Sequence, residues 1–164
     1  MRLVRASLLL GLILFGVIPA EESYGKGLKV SPSNYKWRNA KVGARMKCPA
    51  AILIKNESTV IRSYTLRAIK PSELKAKTTE GFTELPSRQW ISFDRKRVSI
   101  GPEEWKQVEI FIEIPQKEEH LAQKWDFFVE VKEYAAGGEV FVLACYARFY
   151  VLTENKAEQV TKKR

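Results

Sequence analysis

The chain has 164 residues, 45% of them hydrophobic and 29% charged, which is the make-up of a folded globular protein and excludes disorder for the bulk of it. Its formal net charge of +9 admits anionic partners such as phosphate-rich surface polymers or lipid headgroups, while the plainer reading is a soluble protein that is simply basic. No glycine-rich phosphate loop, metal-spaced His or Cys cluster or serine elbow is present, so the composition favours neither an enzyme nor a cofactor-bearing protein, and no nucleic-acid partner is expected.

In chain order, the first element is a leader. Arg2 and Arg5 precede an apolar run, Ala6 to Ile18, that ends in Pro19-Ala20-Glu21-Glu22. This order of charge, apolar stretch and small residues is that of a secretory signal peptide over 1–20, cut after Ala20 or, as a weaker choice, after Gly25. The apolar run is 13 residues, against roughly 20 for a membrane-spanning helix, so the mature chain is expected to be exported, periplasmic or at the cell surface, with no transmembrane segment. Loss of the two leader arginines lowers the charge to +7. About 140 residues remain, one ordinary domain that can bury a core unaided.

From there to Thr153 the pattern is period two, and sustained helical periodicity is absent. A short strand is expected at Leu28 to Val30. Val42 to Asn56 reads as one long strand with Val42, Ala44, Met46, Cys48, Ala50, Ile52 and Ile54 inward. Its outward set carries Lys41, Arg45, Lys47 and Lys55, spaced about 7 Å for each two-residue step, and forms either a track for an anionic polymer or a solvated face. Asn56-Glu57-Ser58 matches a glycosylation acceptor, a pattern too short to decide anything.

Val60 to Ala68 places Tyr64, Leu66 and Ala68 inward against Ser63, Thr65 and Arg67. Pro71 to Arg88 is a long polar connection in which Phe82 and Leu85, followed by Trp90, serve as a binding loop or as caps on an open sheet end. One or two strands fall within Trp90 to Ile100. Trp105 to Ile114 puts Val108, Ile110, Ile112 and Ile114 inward. Gln116 to Lys124 fits one helical turn with Leu121 plugging the sheet end, and His120 there reads as a solvated loop residue.

Trp125 to Tyr134 places Trp125, Phe127, Val129 and Val131 inward and Asp126, Glu130 and Lys132 outward. The Ala135-Ala136-Gly137-Gly138 turn then leads to a last strand, Glu139 to Leu152. That strand is apolar on both faces. Besides the inward Phe141, Leu143, Cys145, Ala147, Phe149 and Val151, the other face carries Val140, Val142, Ala144 and Tyr146, so something is expected to cover it: a partner chain, a second copy, or the lead-in Tyr24 to Val30. Residues 154–164 read as a basic tail. Cys48 and Cys145 share inward parity in an exported chain, and a disulfide between them requires Cα atoms within about 7 Å.

Seven or eight short strands joined by Gly and Pro turns suggest an all-β, immunoglobulin-like sandwich over 26–153. The stretch Val98-Ser-Ile-Gly-Pro-Glu-Glu-Trp-Lys-Gln-Val-Glu-Ile-Phe-Ile-Glu-Ile-Pro115, with Lys124-Trp-Asp-Phe-Phe-Val-Glu-Val131, resembles exported immunoglobulin-like or fibronectin-type-III-like domains of bacterial and archaeal surface and periplasmic proteins. Lys55-Asn56-Glu57-Ser58 is similar to a chain reversal in those domains and in pilus chaperones. Chaperones pair two such domains and need about twice this length, so a single exported module is the better match. The resemblance implies a non-enzymatic structural or protein-interaction module. A carbohydrate- or anionic-polymer-binding domain using 71–88, Trp90 and the basic strand face is the alternative.

Overall fold

The computed structural model describes residues 27–134 and 142–155, so the leader, the Ala135-Gly138 turn, Val140 and the end of the tail lie outside the described residues. Twelve strands are found there: β1 (Leu28–Ser31), β2 (Asn34–Ala40), β3 (Arg45–Lys47), β4 (Ile52–Asn56), β5 (Arg62–Ile69), β6 (Thr83–Glu84), β7 (Ile91–Phe93), β8 (Arg97–Ile100), β9 (Trp105–Val108), β10 (Ile110–Glu113), β11 (Lys124–Glu133) and β12 (Ala144–Thr153). One layer consists of the ladders β1-β4-β9 and β3-β10-β7, joined through the chain at 47–52 and 108–110. The other has the order β2-β12-β11-β5-β8, with β6 beside the start of β11. No helix among the described residues is long and apolar enough to cross a membrane.

Two expected strands are each split in two, for local chemical reasons. Pro49 has no N–H to give a ladder, so Val42 to Asn56 breaks after Lys47: β3 pairs with β10, and β4 resumes against β9. Trp105 to Ile114 breaks at Glu109, whose N–H bonds Asp94 Oδ1 at 2.9 Å while its carbonyl accepts Asp94 N–H at 3.1 Å.

β2 is a strand that the sequence reading missed. Its alternation covers only Tyr35 and Trp37, because Asn39 takes a left-handed conformation (φ 57°) and returns Ala40 to the inside out of phase. It runs parallel to β12, from Asn34 opposite Arg148 to Ala40 opposite Thr153. The first two strands thus lie in different layers, and the chain crosses between them at Ser31–Ser33.

Apart from Leu143, which has inward parity but is exposed just ahead of β12, the inward sets follow the alternation among the described residues. Ile52, Ile54, Val108, Ile110 and Ile112 of one layer meet Leu66, Phe127, Val129, Phe149 and Val151 of the other, all buried. Each such side chain contributes about 1.5–3 kcal/mol of transfer free energy. The fold continues one residue past Thr153: Glu154 is buried, its N–H bonds Ala40 O at 3.0 Å, and its Oε1 accepts Val42 N–H at 3.1 Å.

Candidate interaction surface

The outer face of β12 divides into a covered half and an open half. At the covered end the 77–84 segment lies across the sheet. Thr79 N–H bonds Asp126 Oδ2 at 3.0 Å, Arg148 Nη2 reaches Lys77 O at 2.7 Å, and the Phe82 ring sits 5.2 Å from that of Tyr150. Beneath it Arg148 pairs with the fully buried Asp126 and lies 5.0 Å from the Phe128 ring centre. The last strand's extra apolar surface is therefore covered in part by its own chain, through the 77–84 segment; of the expected lead-in, Leu28 to Val30 pair with β4, and Tyr24 to Lys26 lie outside the described residues.

Towards the β11–β12 turn this cover ends. Across β5, β11 and β12, Arg67 pairs with Glu130 Oε2, and the Tyr146 hydroxyl donates to Glu130 Oε1 at 3.2 Å. Glu130 is buried beneath its partners, whereas Tyr146 stays 42% exposed. Burial first, and then the negative charge of Glu130, raise the Tyr146 hydroxyl above its ordinary pKa. The hydrogen bond of Arg67 to the same carboxylate raises the Arg67 guanidinium above its ordinary value.

Around this row Val142 and Ala144 are half-buried. Tyr134, exposed at the neighbouring end of β11, has the Arg97 guanidinium stacked 3.6 Å from its ring centre. Of the residues expected at this surface, Val142, Ala144 and Tyr146 are found together. Arg67, Glu130 and Tyr134 join them unforeseen, while Leu143, expected inward, has the parity of Cys145 and is exposed just ahead of β12. Outward parity marked Arg67 and Glu130, but only the register Arg67↔Glu130↔Tyr146 puts them in one row.

The four basic positions of the other layer all face outward, across the break at Pro49. Lys47 pairs with Glu109, Lys55 with Glu103 at 2.6 Å and Glu57 at 3.7 Å, and Arg45 stacks on Phe111 at 4.4 Å, which leaves Lys41 at the end of the row. Among the loop residues, Leu85 is a buried cap, Phe82 belongs to the cover just described, and Trp90 lies against Trp125 with ring centres 5.4 Å apart.

Two expectations are corrected here. His120 is not solvated: the 3₁₀ turn Glu118–His120 tips its ring inward, 4.9 Å from Trp90 and 5.7 Å from Trp125, where it plugs the sheet end alongside Leu121. The Cys48–Cys145 disulfide is absent, and both thiols are free. Cys48 N–H bonds Ile110 O, whereas Cys145 Sγ donates to Leu28 O at 3.3 Å, at the level where Leu28 faces Asn56 and Asn56 N–H bonds Glu104 O. Six residues of strand separate those levels, on the order of 20 Å, so shared parity put the cysteines in one core at different heights. Burial pushes the Cys48 thiol up to about 11 and also raises that of Cys145.

Asn56 is fully buried and so is no glycan acceptor in the folded chain. Its amide faces the carbonyls of Val60, Ile100 and Gly101 at 2.7, 3.0 and 3.1 Å, and its Oδ1 accepts from Ser58 N, Ser58 Oγ and Tyr64 Oη. Among the described residues no group of three or more His, Cys, Asp and Glu is placed to hold a metal.

No family model matches the chain, and no curated protein matches it. Solved structures do. PapD-like domain 7 of human CEP192 is 9% identical with a TM-score of 0.56, over 92% of this chain and 99% of that one. The periplasmic chaperone SfaE is 12% identical with a TM-score of 0.50, over 84% of this chain and 65% of its own. A putative carbohydrate binding protein from Bacteroides ovatus is 11% identical with a TM-score of 0.57, over 79% of this chain and 37% of its own. The chain thus spans less than two thirds of the chaperone. These neighbours support the immunoglobulin-like part of the expected resemblance and leave the fibronectin-type-III-like part without support. At such identities the likeness is one of fold: the chain is an all-β, immunoglobulin-like sandwich whose architecture is similar to that of PapD-like and chaperone domains.

Proposed function

We propose that the chain is a non-enzymatic, exported protein-interaction module, and that it binds a partner chain or a second copy of itself through the open half of the β12 outer face. The observation that carries this reading is the contrast along one strand face. Tyr150 and Arg148 are closed over by the 77–84 segment, whereas Tyr146 and the adjacent Tyr134 remain exposed as an aromatic patch around a buried carboxylate. Exposed aromatic clusters of this kind serve as anchors in protein interfaces. Export rests on the leader at 1–20, and the fold neighbours include a periplasmic chaperone. The basic strand face supports the polymer-binding alternative less well, because Lys47 and Lys55 are already engaged by acids.

Site-specific photo-crosslinking in the producing cell tests the proposal. A photoreactive residue at Tyr146 is expected to give a discrete adduct or a dimer, and one at Lys41 on the opposite layer is not. Val142→Lys should abolish the adduct from position 146 and shift the urea midpoint little. No adduct from Tyr146, together with a monomer by light scattering, overturns the reading.

A further inference from the structure

Among the described residues, on the side away from β11, no strand is hydrogen-bonded to the second half of β5. β8 pairs with it only from Arg62 to Thr65, and the Leu66 N–H still reaches Lys96 O at 2.9 Å. Backbone groups alternate sides along a strand, so Ala68 turns its N–H and C=O the same way as Leu66, past the end of β8. Across the gap, β7 is the edge of the other layer. Its neighbour Asp94 points its N–H at Glu109, so Phe93, one residue earlier, points its backbone groups away from β10. A cleft of about 360 Å³ lies between these two edges. Leu66, Ala68, Ile91 and Phe93 give it apolar walls.

The charge around the cleft has one sign. Arg67, Arg88 and Lys96 are among its lining residues, and no acid is. Arg67 and Arg88 pair with Glu130 and Glu73, whereas Lys96, exposed at the rim, has no acidic partner among the described residues. Two copies of a chain with net charge +9 repel one another at such a rim.

We propose that the β5–β7 cleft binds an extended acidic segment of a partner polypeptide, which adds as a strand at Ala68 and directs carboxylates to Lys96 and Arg88. Edge strands take up extended segments in this way: main-chain hydrogen bonds supply affinity, and flanking charge supplies selection. The site shares Arg67 with the β12 outer face, but its test reads Ala68, Phe93 and Lys96, so either stands if the other fails.

The test uses isotope-labelled mature chain and a synthetic eight-residue peptide of alternating Glu and Val, with an alternating Lys and Val peptide as control. The acidic peptide is expected to shift the amides of Ala68, Phe93 and Lys96 and to slow exchange at Ala68, and the basic one to do neither. Lys96→Glu, an exposed reversal that leaves the core intact, should weaken binding by about tenfold. Ala68→Pro removes the outward-facing N–H and spares the β11 ladder, though it sets a larger ring at a buried position, so it should abolish binding; if it fails to fold, the acidic peptide N-methylated at alternate residues takes its place. Four results overturn the proposal: no shift at Ala68 and Phe93 at millimolar peptide, equal binding of both peptides, shifts at Ala68 that grow with protein concentration alone, or an oligonucleotide that reproduces the acidic peptide's pattern.

Discussion

Asn56 is the side chain whose loss would disturb most of its surroundings. It satisfies a turn carbonyl at Val60, two carbonyls before the β9 strand and the hydroxyl of Tyr64, all from a fully buried position. Asn56→Ala would leave these groups unsatisfied and should cost about 2–4 kcal/mol. Asn56→Asp should cost more, since a carboxylate would face three carbonyls. Urea unfolding of both variants measures the order. A lesser constraint of the same kind sits at Gly43, where φ is +80° and an added Cβ would meet the Gln116 side chain at 2.8 Å.

Buried ionisable groups also set an alkaline limit. Burial, reinforced by the charge of Glu133, pushes the Tyr64 hydroxyl from 10 up to about 12, and burial pushes the Cys48 thiol from 9 up to about 11. The folded chain therefore holds both protons after the unfolded chain has released them. The stability they contribute is complete below pH 9 and is lost as pH rises, over pH 9–11 for Cys48 and pH 10–12 for Tyr64. The urea midpoint should be flat with respect to these groups up to pH 9 and fall above it. Cys48→Ala should remove the first part of that fall and Tyr64→Phe the second.

For elements, the informative case is the cover over β12. Phe82→Ala should uncover Tyr150, speed exchange at the Thr79 amide that bonds Asp126, and cost about 1–2 kcal/mol, since the side chain is only half-buried. An unchanged Thr79 amide would show that the segment is held by Arg148 and Asp126 alone. Alternation exposed the doubly apolar character of this strand because side-chain direction is a local property. What lies over it depends on a segment some 70 residues earlier, and periodicity carries nothing about that. Asp126 and Glu130 illustrate the same limit: their outward parity was legible, but their burial follows from Arg148, Arg67 and Tyr146 arriving from other positions in the sheet. His120 was misread because a 3₁₀ turn in a charged connection gives no periodic sign of which residue it turns inward.

For the whole molecule, the class of fold was legible because inward apolar sets recur at strand spacing with Gly and Pro between them. Heights within the sandwich were not. Cys48 and Cys145 share a core and a parity, yet register alone decides that one sits level with Ile110 and the other beside Leu28. Thiol titration of the unfolded, unreduced chain should accordingly find two thiols, and in the folded chain at pH 8 the Cys48 thiol should react slowest. β2 escaped notice for a related reason, as its alternation fails at Asn39 and its pairing with β12 spans more than one hundred residues.

That pairing has a mechanical meaning. β2 and β12 run parallel, with Asn34 opposite Arg148 and Ala40 opposite Thr153. Tension applied ahead of β2 and behind β12 therefore pulls the two strands along each other. Their shared hydrogen bonds are loaded together, whereas an antiparallel pair pulled from one end would peel open bond by bond. The rate of forced unfolding is governed by that barrier and not by equilibrium stability. A module anchored to an envelope by one end and to a partner by the other would carry load through this ladder, and the buried contact of Glu154 with Ala40 and Val42 would have to break before the strands slide.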